Sequence, residues 1–403
     1  MRPGKRMLAV SLIALIPLVA SAREVAALKL LSGKNVHSRG TFENARIRFE
    51  TEKKGHVAFI GGSITQMNGY RPMVMDMLTK RFPDTKFVFT DAGISSTCST
   101  TGAFRLQKHV LSKGPVDLFF VEFAVNDDQD AAHSRANCIR GMEGLIRHTR
   151  LHNPNADIVI TFFVNKEMLE TCSKGSVPLT SGAHSEVAKH YGIPTIDLAQ
   201  ETADQINAGK LTWGKFGGCH PRPIGNRLCA DMIKSLMDQA WKAPLEPNAK
   251  PSKHPLPEPL DKLSYFRGKL VEPGKATIVS GMKVETPNWK ALRGSCRGQF
   301  SKEVLLCGDK PGAEITLDFE GTAVGAYVLA GPDAGIVETS IDGSEMKKTD
   351  LYHRYSRGLH YPRTVMFSAV QQPGKHKLKL RISADKNENS KGTAFRALYF
   401  TVN

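Results

Sequence analysis

Four short stretches carry residue types that acyl transfer requires. Ser63 stands in Gly61-Gly62-Ser63-Ile64-Thr65, directly after the apolar run Val57-Ala58-Phe59-Ile60. Gly93 lies in Asp91-Ala92-Gly93-Ile94-Ser95, and Asn126 in Phe123-Ala124-Val125-Asn126-Asp127-Asp128. His220 lies in Gly217-Gly218-Cys219-His220-Pro221. A serine hydroxyl can attack a carbonyl while an imidazole takes its proton and later returns it to the leaving group. The N–H groups of Ser63 and Gly93 and the amide of Asn126 would be three donors for the negative charge that develops on the carbonyl oxygen. Singly, each has a plainer role. Ser63 can cap a helix, Gly93 can serve a turn, Asn126 can form an Asx-turn, and His220 can be a loop histidine. Their order along the chain gives the set its meaning.

That meaning depends on elements that bring them to one place. Strand-like runs occur at Val57–Ile60, Phe87–Thr90, Val116–Phe123, Ile158–Val164 and Thr195–Leu198. Between them lie helical stripes, one of Tyr70, Met73, Val74, Met77, Leu78 and Phe82, another of Cys138, Met142, Leu145 and Thr149. A last helix is expected from about Ile224 to Trp241, and Ala45-Arg46-Ile47-Arg48-Phe49 alternates as an outer strand would. Short apolar runs alternating with helices imply an α/β fold with a parallel sheet covered on both faces. In such folds ligands bind at the carboxyl ends of the strands, where all four stretches would lie.

The rest of the chain divides by composition. Arg2, Lys5 and Arg6 precede an apolar run from Met7 to Val19, and Ala20-Ser21-Ala22 fits a cleavage site. Residues 1–22 are therefore read as a signal peptide, which implies a secreted or periplasmic protein. No later stretch approaches the length of a membrane span. Residues 23–243 form the first domain. Residues 244–262 are rich in proline and read as an extended, semi-rigid linker. Residues 263–403 hold short β runs with glycine-rich turns and little helical pattern, which implies an all-β sandwich.

The chain has 403 residues, 41% hydrophobic and 23% charged, which argues against disorder. Its formal charge of +16 suits anionic partners such as acidic polysaccharide. The basic residues are scattered, which argues against nucleic acid. Seven cysteines leave at least one unpaired, and they show no zinc-binding CxxC…CxxC spacing. Cys296 and Cys307 are the second domain's own two and its candidates for a disulfide.

Over residues 55 to 242 the chain resembles the SGNH (GDSL-type) serine hydrolases, named for the Ser, Gly, Asn and His of four blocks. Ser63, Gly93, Asn126-Asp127 and His220-Pro221 match those blocks in order. The resemblance implies a flavodoxin-like three-layer fold and hydrolysis of esters, often acetyl groups on carbohydrate, with no metal or organic cofactor. The chain departs from the pattern at Gly62, where many members have Asp, and at Ala124, where Gly is usual. Gly217 stands where the family places the carboxylate that orients the histidine. Three alternatives follow: a backbone carbonyl near Gly217 orients His220, a carboxylate comes from elsewhere with Asp127 and Asp128 nearest, or the fold binds without catalysing. Asn68, Tyr70 and Arg71 follow the serine and are candidates for substrate contact.

The second domain resembles the jelly-roll modules found beside carbohydrate esterases. The residues in question are Val328–Gly335, Ile341-Asp342-Gly343, Leu351-Tyr352 and Gly374-Lys375-His376. Trp289, Tyr327, Tyr352, Tyr355 and Tyr361 could offer faces to sugar rings. The reading is an exported esterase acting on an acylated polysaccharide. Its rivals are a glycan-binding protein that has lost catalysis and an O-acyltransferase using the same Ser-His pair.

Overall fold

The structure, a computed structural model, describes residues 28–31 and 33–403. The expected signal peptide lies outside these residues. The first domain is built on a six-stranded sheet: β1 (Val36–His37), β2 (Lys54–Gly61), β3 (Lys86–Gly93), β4 (Leu118–Glu122), β5 (Asp157–Thr161) and β6 (Thr195–Ile196). Its order is β1-β6-β5-β4-β2-β3, and every pairing is parallel except that of β1 with β6. β2 lies between β3 and β4, so the chain leaves it in one direction and later returns on its other side. This is the flavodoxin order, and the crevice at such a switch point is where ligands bind. β2 and β4 are buried on both faces, as Val57–Ile60 and Leu118–Val121 show.

Among the described residues ten α-helices accompany these strands: α1 (Asn44–Ile47), α2 (Ser63–Gln66), α3 (Tyr70–Arg81), α4 (Ser99–His109), α5 (Arg135–His152), α6 (Lys166–Ser173), α7 (Leu179–His190), α8 (Leu198–Asn207), α9 (Trp213–Phe216) and α10 (Pro223–Ala240). α3 packs with α10, and α5 with both α4 and α7. Pro223 opens α10, where its fixed φ suits the first turn. The segment Ala45–Phe49, expected as a strand, is instead helical, running from α1 into a π-helix over Arg48–Glu52. Arg46 pairs with Glu50 and Arg48 with Glu52, both four residues apart, and the Ala45 N–H donates to Asp157. The helical spacing of those charges outweighs the apolar alternation.

The second domain is one antiparallel sheet of nine strands: β7 (Lys269–Val271), β8 (Thr277–Ser280), β9 (Lys283–Glu285), β10 (Leu305–Gly308), β11 (Glu314–Ala330), β12 (Ile336–Ile341), β13 (Lys347–Asp350), β14 (Tyr361–Ile382) and β15 (Phe395–Val402). Leu306, Ile315, Val337, Leu378 and Phe395 meet in one core, so the sheet folds over on itself. Runs expected as separate strands join here. Ala313–Phe319 and Ala323–Leu329 form the single long β11, which keeps its pairing through a bulge at Gly321. All seven cysteines are free, so Cys296 and Cys307 do not form the expected bridge.

The proline-rich segment lies along the first domain. Asn44 donates to the Ser252 carbonyl, Arg150 to the Pro255 carbonyl, and Arg147 to the Pro257 carbonyl. Fully buried Glu143 accepts the N–H groups of Leu260 (2.6 Å) and Asp261 (3.0 Å) and the Tyr191 hydroxyl (2.7 Å). Glu143→Ala orphans three donors and is expected to destabilise the first domain by about 3 kcal/mol or more. An earlier urea transition and faster proteolytic cutting within residues 244–262 would register this; cutting at the wild-type rate contradicts it.

Candidate active site

Ser63 and His220 are 157 residues apart, yet Ser63 Oγ and His220 Nε2 are separated by 2.7 Å. Ser63 begins α2 directly after β2 and Gly62, and its N–H needs no partner within the helix. Two glycines make the turn possible. A Cβ on Gly61 would overlap the Glu122 carboxylate, and one on Gly62 would overlap the Asn126 side chain. In this arrangement the family's usual Asp has no room at Gly62 beside the Asn126 amide.

Glu122, at the end of β4, fixes this turn from below. It is fully buried, and its Oε1 accepts the N–H of Gly62 (3.0 Å), the N–H of Thr65 (3.2 Å) and the Thr65 hydroxyl (2.7 Å). Burial pushes its carboxyl up to about 7, against the lowering effect of the hydrogen bonds from Thr65 and Gly62. Sequence reasoning missed this residue because it lies within an apolar strand run.

Gly93 ends β3 and packs so closely on the backbone of α2 that a Cβ would overlap Gln66. Its N–H donates to Asp91 Oδ1 at 2.9 Å, while Asp91 Oδ2 pairs with Arg71 at 2.7 Å. Asn126 opens a π-helix over Asn126–Asp130, and one hydrogen of its amide is held by Asp130 Oδ2 at 2.5 Å. The Asn126 Oδ1 is buried without a hydrogen-bond partner.

The orienting groups considered from sequence are elsewhere. Gly217 has φ +114°, and a Cβ there would overlap the backbone of Arg222, so this turn has no room for the family's Asp. The group at His220 Nδ1 is the Cys219 Sγ, at 3.5 Å, rather than a carbonyl near Gly217. Asp127 is fully buried and accepts from Ser99 and His184. Burial alone would raise its carboxyl, but His133 and His184 hold it below the usual carboxylate range. Asp128 accepts the Asn165 amide at 2.7 Å.

Of the candidate contact residues, Asn68 is exposed. Tyr70 is 1% exposed, packs on Phe59 and Phe163, and cannot reach a ligand. Its apolar ring completes the buried stripe of α3. Arg71 is held by Asp91, the Thr65 carbonyl and Asn68.

The second domain braces the same rim. Arg297 donates to the Ser95 carbonyl and to Ser96 Oγ, both at 2.8 Å. Arg354 donates to the Gln129 carbonyl, and His353 Nε2 lies 2.9 Å from the Asp130 carbonyl. Tyr327 and Tyr361 are buried and cannot stack on sugar. Trp289 and Tyr352 are half-buried, and Tyr355 is exposed.

Residues 59–228, within the first domain, match the GDSL-like Lipase/Acylhydrolase family. Fold and family together place the chain among the carboxylic ester hydrolases. Both domains together are similar to a two-domain esterase (CEX) active on acetylated mannans. That similarity has a TM-score of 0.73 at 22% identity and covers 92% of this chain and 98% of the other. The same esterase co-crystallised with mannopentaose gives a TM-score of 0.74 at 21% identity, covering 92% and 97%. No curated protein matches the chain in sequence.

Glu122 yields a pH test. A carboxyl near 7 in the folded chain and near 4.5 unfolded binds more protons when folded, so its contribution to stability falls as pH rises through that window. Glu122→Gln removes this slope. The variant should gain on wild type between about pH 5 and pH 8, by on the order of 3 kcal/mol. A stability difference that stays constant across that range in thermal melts would refute the assignment.

Proposed function

We propose that this protein is an exported serine esterase that removes acetyl groups from a polysaccharide. The observation that carries the reading is the 2.7 Å contact between Ser63 Oγ and His220 Nε2, within reach for proton transfer. Ser63 attacks the acyl carbonyl as His220 takes its proton. The Ser63 N–H and the second amide hydrogen of Asn126 stabilise the oxyanion. The Gly93 N–H is held by Asp91 Oδ1, so the two remaining donors carry the oxyanion in this arrangement. His220 then protonates the departing sugar hydroxyl, and water, activated by the same imidazole, hydrolyses the acetyl-enzyme. With Cys219 at its second nitrogen, His220 works with Ser63 as a dyad.

The likeness of both domains to an esterase active on acetylated mannans supports a polysaccharide substrate, and the basic charge suits an acidic one. The leader-like pattern of residues 1–22 supports export. Gly217, in a turn that excludes a carboxylate, favours one second reading, a glycan-binding protein without turnover.

Ser63→Ala should lower hydrolysis of a chromogenic acetyl ester and acetate release from acetylated mannan by about 10⁴-fold or more, with the circular dichroism unchanged. Turnover persisting in that variant removes Ser63 as nucleophile. A wild-type protein that releases no acetate but is retained on acetylated mannan establishes the binding reading instead.

A further inference from the structure

Asp127 follows Asn126 in sequence but turns away from His220 into a cluster of soft and hard metal-ligating side chains. Cys98 Sγ, a ring nitrogen of His133 and an Asp127 carboxylate oxygen all lie within 4.8 Å of one another. Asp127, Cys138 and His184 form a second trio under the same limit. Cys98 is 6% exposed, and Asp127, Cys138 and His184 are fully buried. His133 Nδ1 is 3.5 Å from Asp127 Oδ1 and, though buried, has no hydrogen-bond partner.

We propose that Cys98, His133 and Asp127 form a binding site for one divalent soft-to-borderline metal ion of the zinc type, separate from Ser63 and His220. Thiolate, imidazole and carboxylate are the donors such an ion takes, and pairs of them around a tetrahedral centre lie about 3.5 Å apart. One thiolate and one carboxylate neutralise the double charge. Cys98 directly precedes α4, whose positive end favours the thiolate.

A supporting shell is present. Asp127 Oδ1 accepts the Ser99 N–H at 2.7 Å, and Oδ2 accepts the Ser99 hydroxyl at 2.6 Å and faces His184 Nε2 at 2.9 Å. Such contacts hold a carboxylate ligand in one orientation. They also favour the first trio over the second, because the His184 Nε2 is already committed to Asp127. A cavity of about 460 Å³ between the domains is lined by Cys98 and His133, with Asp130, Arg140, Tyr361 and Arg363. It provides an entry path and room for water at the fourth position. The ion would tie α4 to the turn that carries Asn126, so its role is to hold that turn.

The test uses the full chain, reduced, stripped with a chelator and desalted, then titrated with Co²⁺. One equivalent should bind with a sulfur-to-cobalt charge-transfer band, and Zn²⁺ should abolish that band. Cys98→Ser should lose the band and bind at least about a hundredfold more weakly. Serine is itself a favoured residue before a helix, so this variant should fold, which its metal-free melting temperature checks. His133→Asn should behave alike, and Ser63→Ala should keep both band and affinity. Absence of one-equivalent uptake by wild type, or a full band in Cys98→Ser, overturns the proposal.

Discussion

The 2.7 Å approach of Ser63 Oγ to His220 Nε2 is the contact on which the remaining structure converges. Neither residue is positioned by its own neighbours alone. β2 delivers the serine to the rim of the sheet between β3 and β4, and the turn before α10 delivers the imidazole. Gly61 and Gly62 let β4's Glu122 and the Asn126 amide approach the turn more closely than any side chain would allow. Glu122 then gathers two N–H groups and a hydroxyl of that turn on one buried oxygen. A carboxylate so placed keeps the nucleophile's backbone in one conformation, which preorganised charge stabilisation requires.

The second domain completes this arrangement from above. Arg297 and Arg354 donate to backbone carbonyls in the segments that follow β3 and β4, at Ser95 just beyond Gly93 and at Gln129 just beyond Asn126. Loops at sheet rims are ordinarily the most mobile part of an α/β fold. Here they are held by side chains from connecting segments of the second domain. The proline-rich segment adds a further tie, because its carbonyls and N–H groups are bonded to α5 along its course.

Much of this was readable from residue pattern. The βα rhythm and the helices at Tyr70–Arg81 and Pro223–Ala240 follow from apolar spacing, and the rim location of the four blocks follows from the fold class. What the pattern could not show depends on contacts distant in sequence. Asp127 looked free to orient His220, but it turns inward to Ser99 and His184. Tyr70 follows the serine closely in sequence, as a ligand contact would, but its ring is core. Ala45–Phe49 alternates like a strand, and only the pairing of Arg46 with Glu50 and Arg48 with Glu52 marks it as helical. Gly217 was visible as a departure from the family; its reason, a left-handed turn closed against Arg222, was not.

The account stands most directly on whether acyl transfer passes through Ser63. Rapid acid quenching during turnover of an acetyl ester, followed by peptide mapping, measures this. The account predicts a transient acetyl group on the peptide containing Ser63, at Ser63 itself. Steady turnover with the acetyl group found on another residue, such as Cys98 or Cys219, would contradict it.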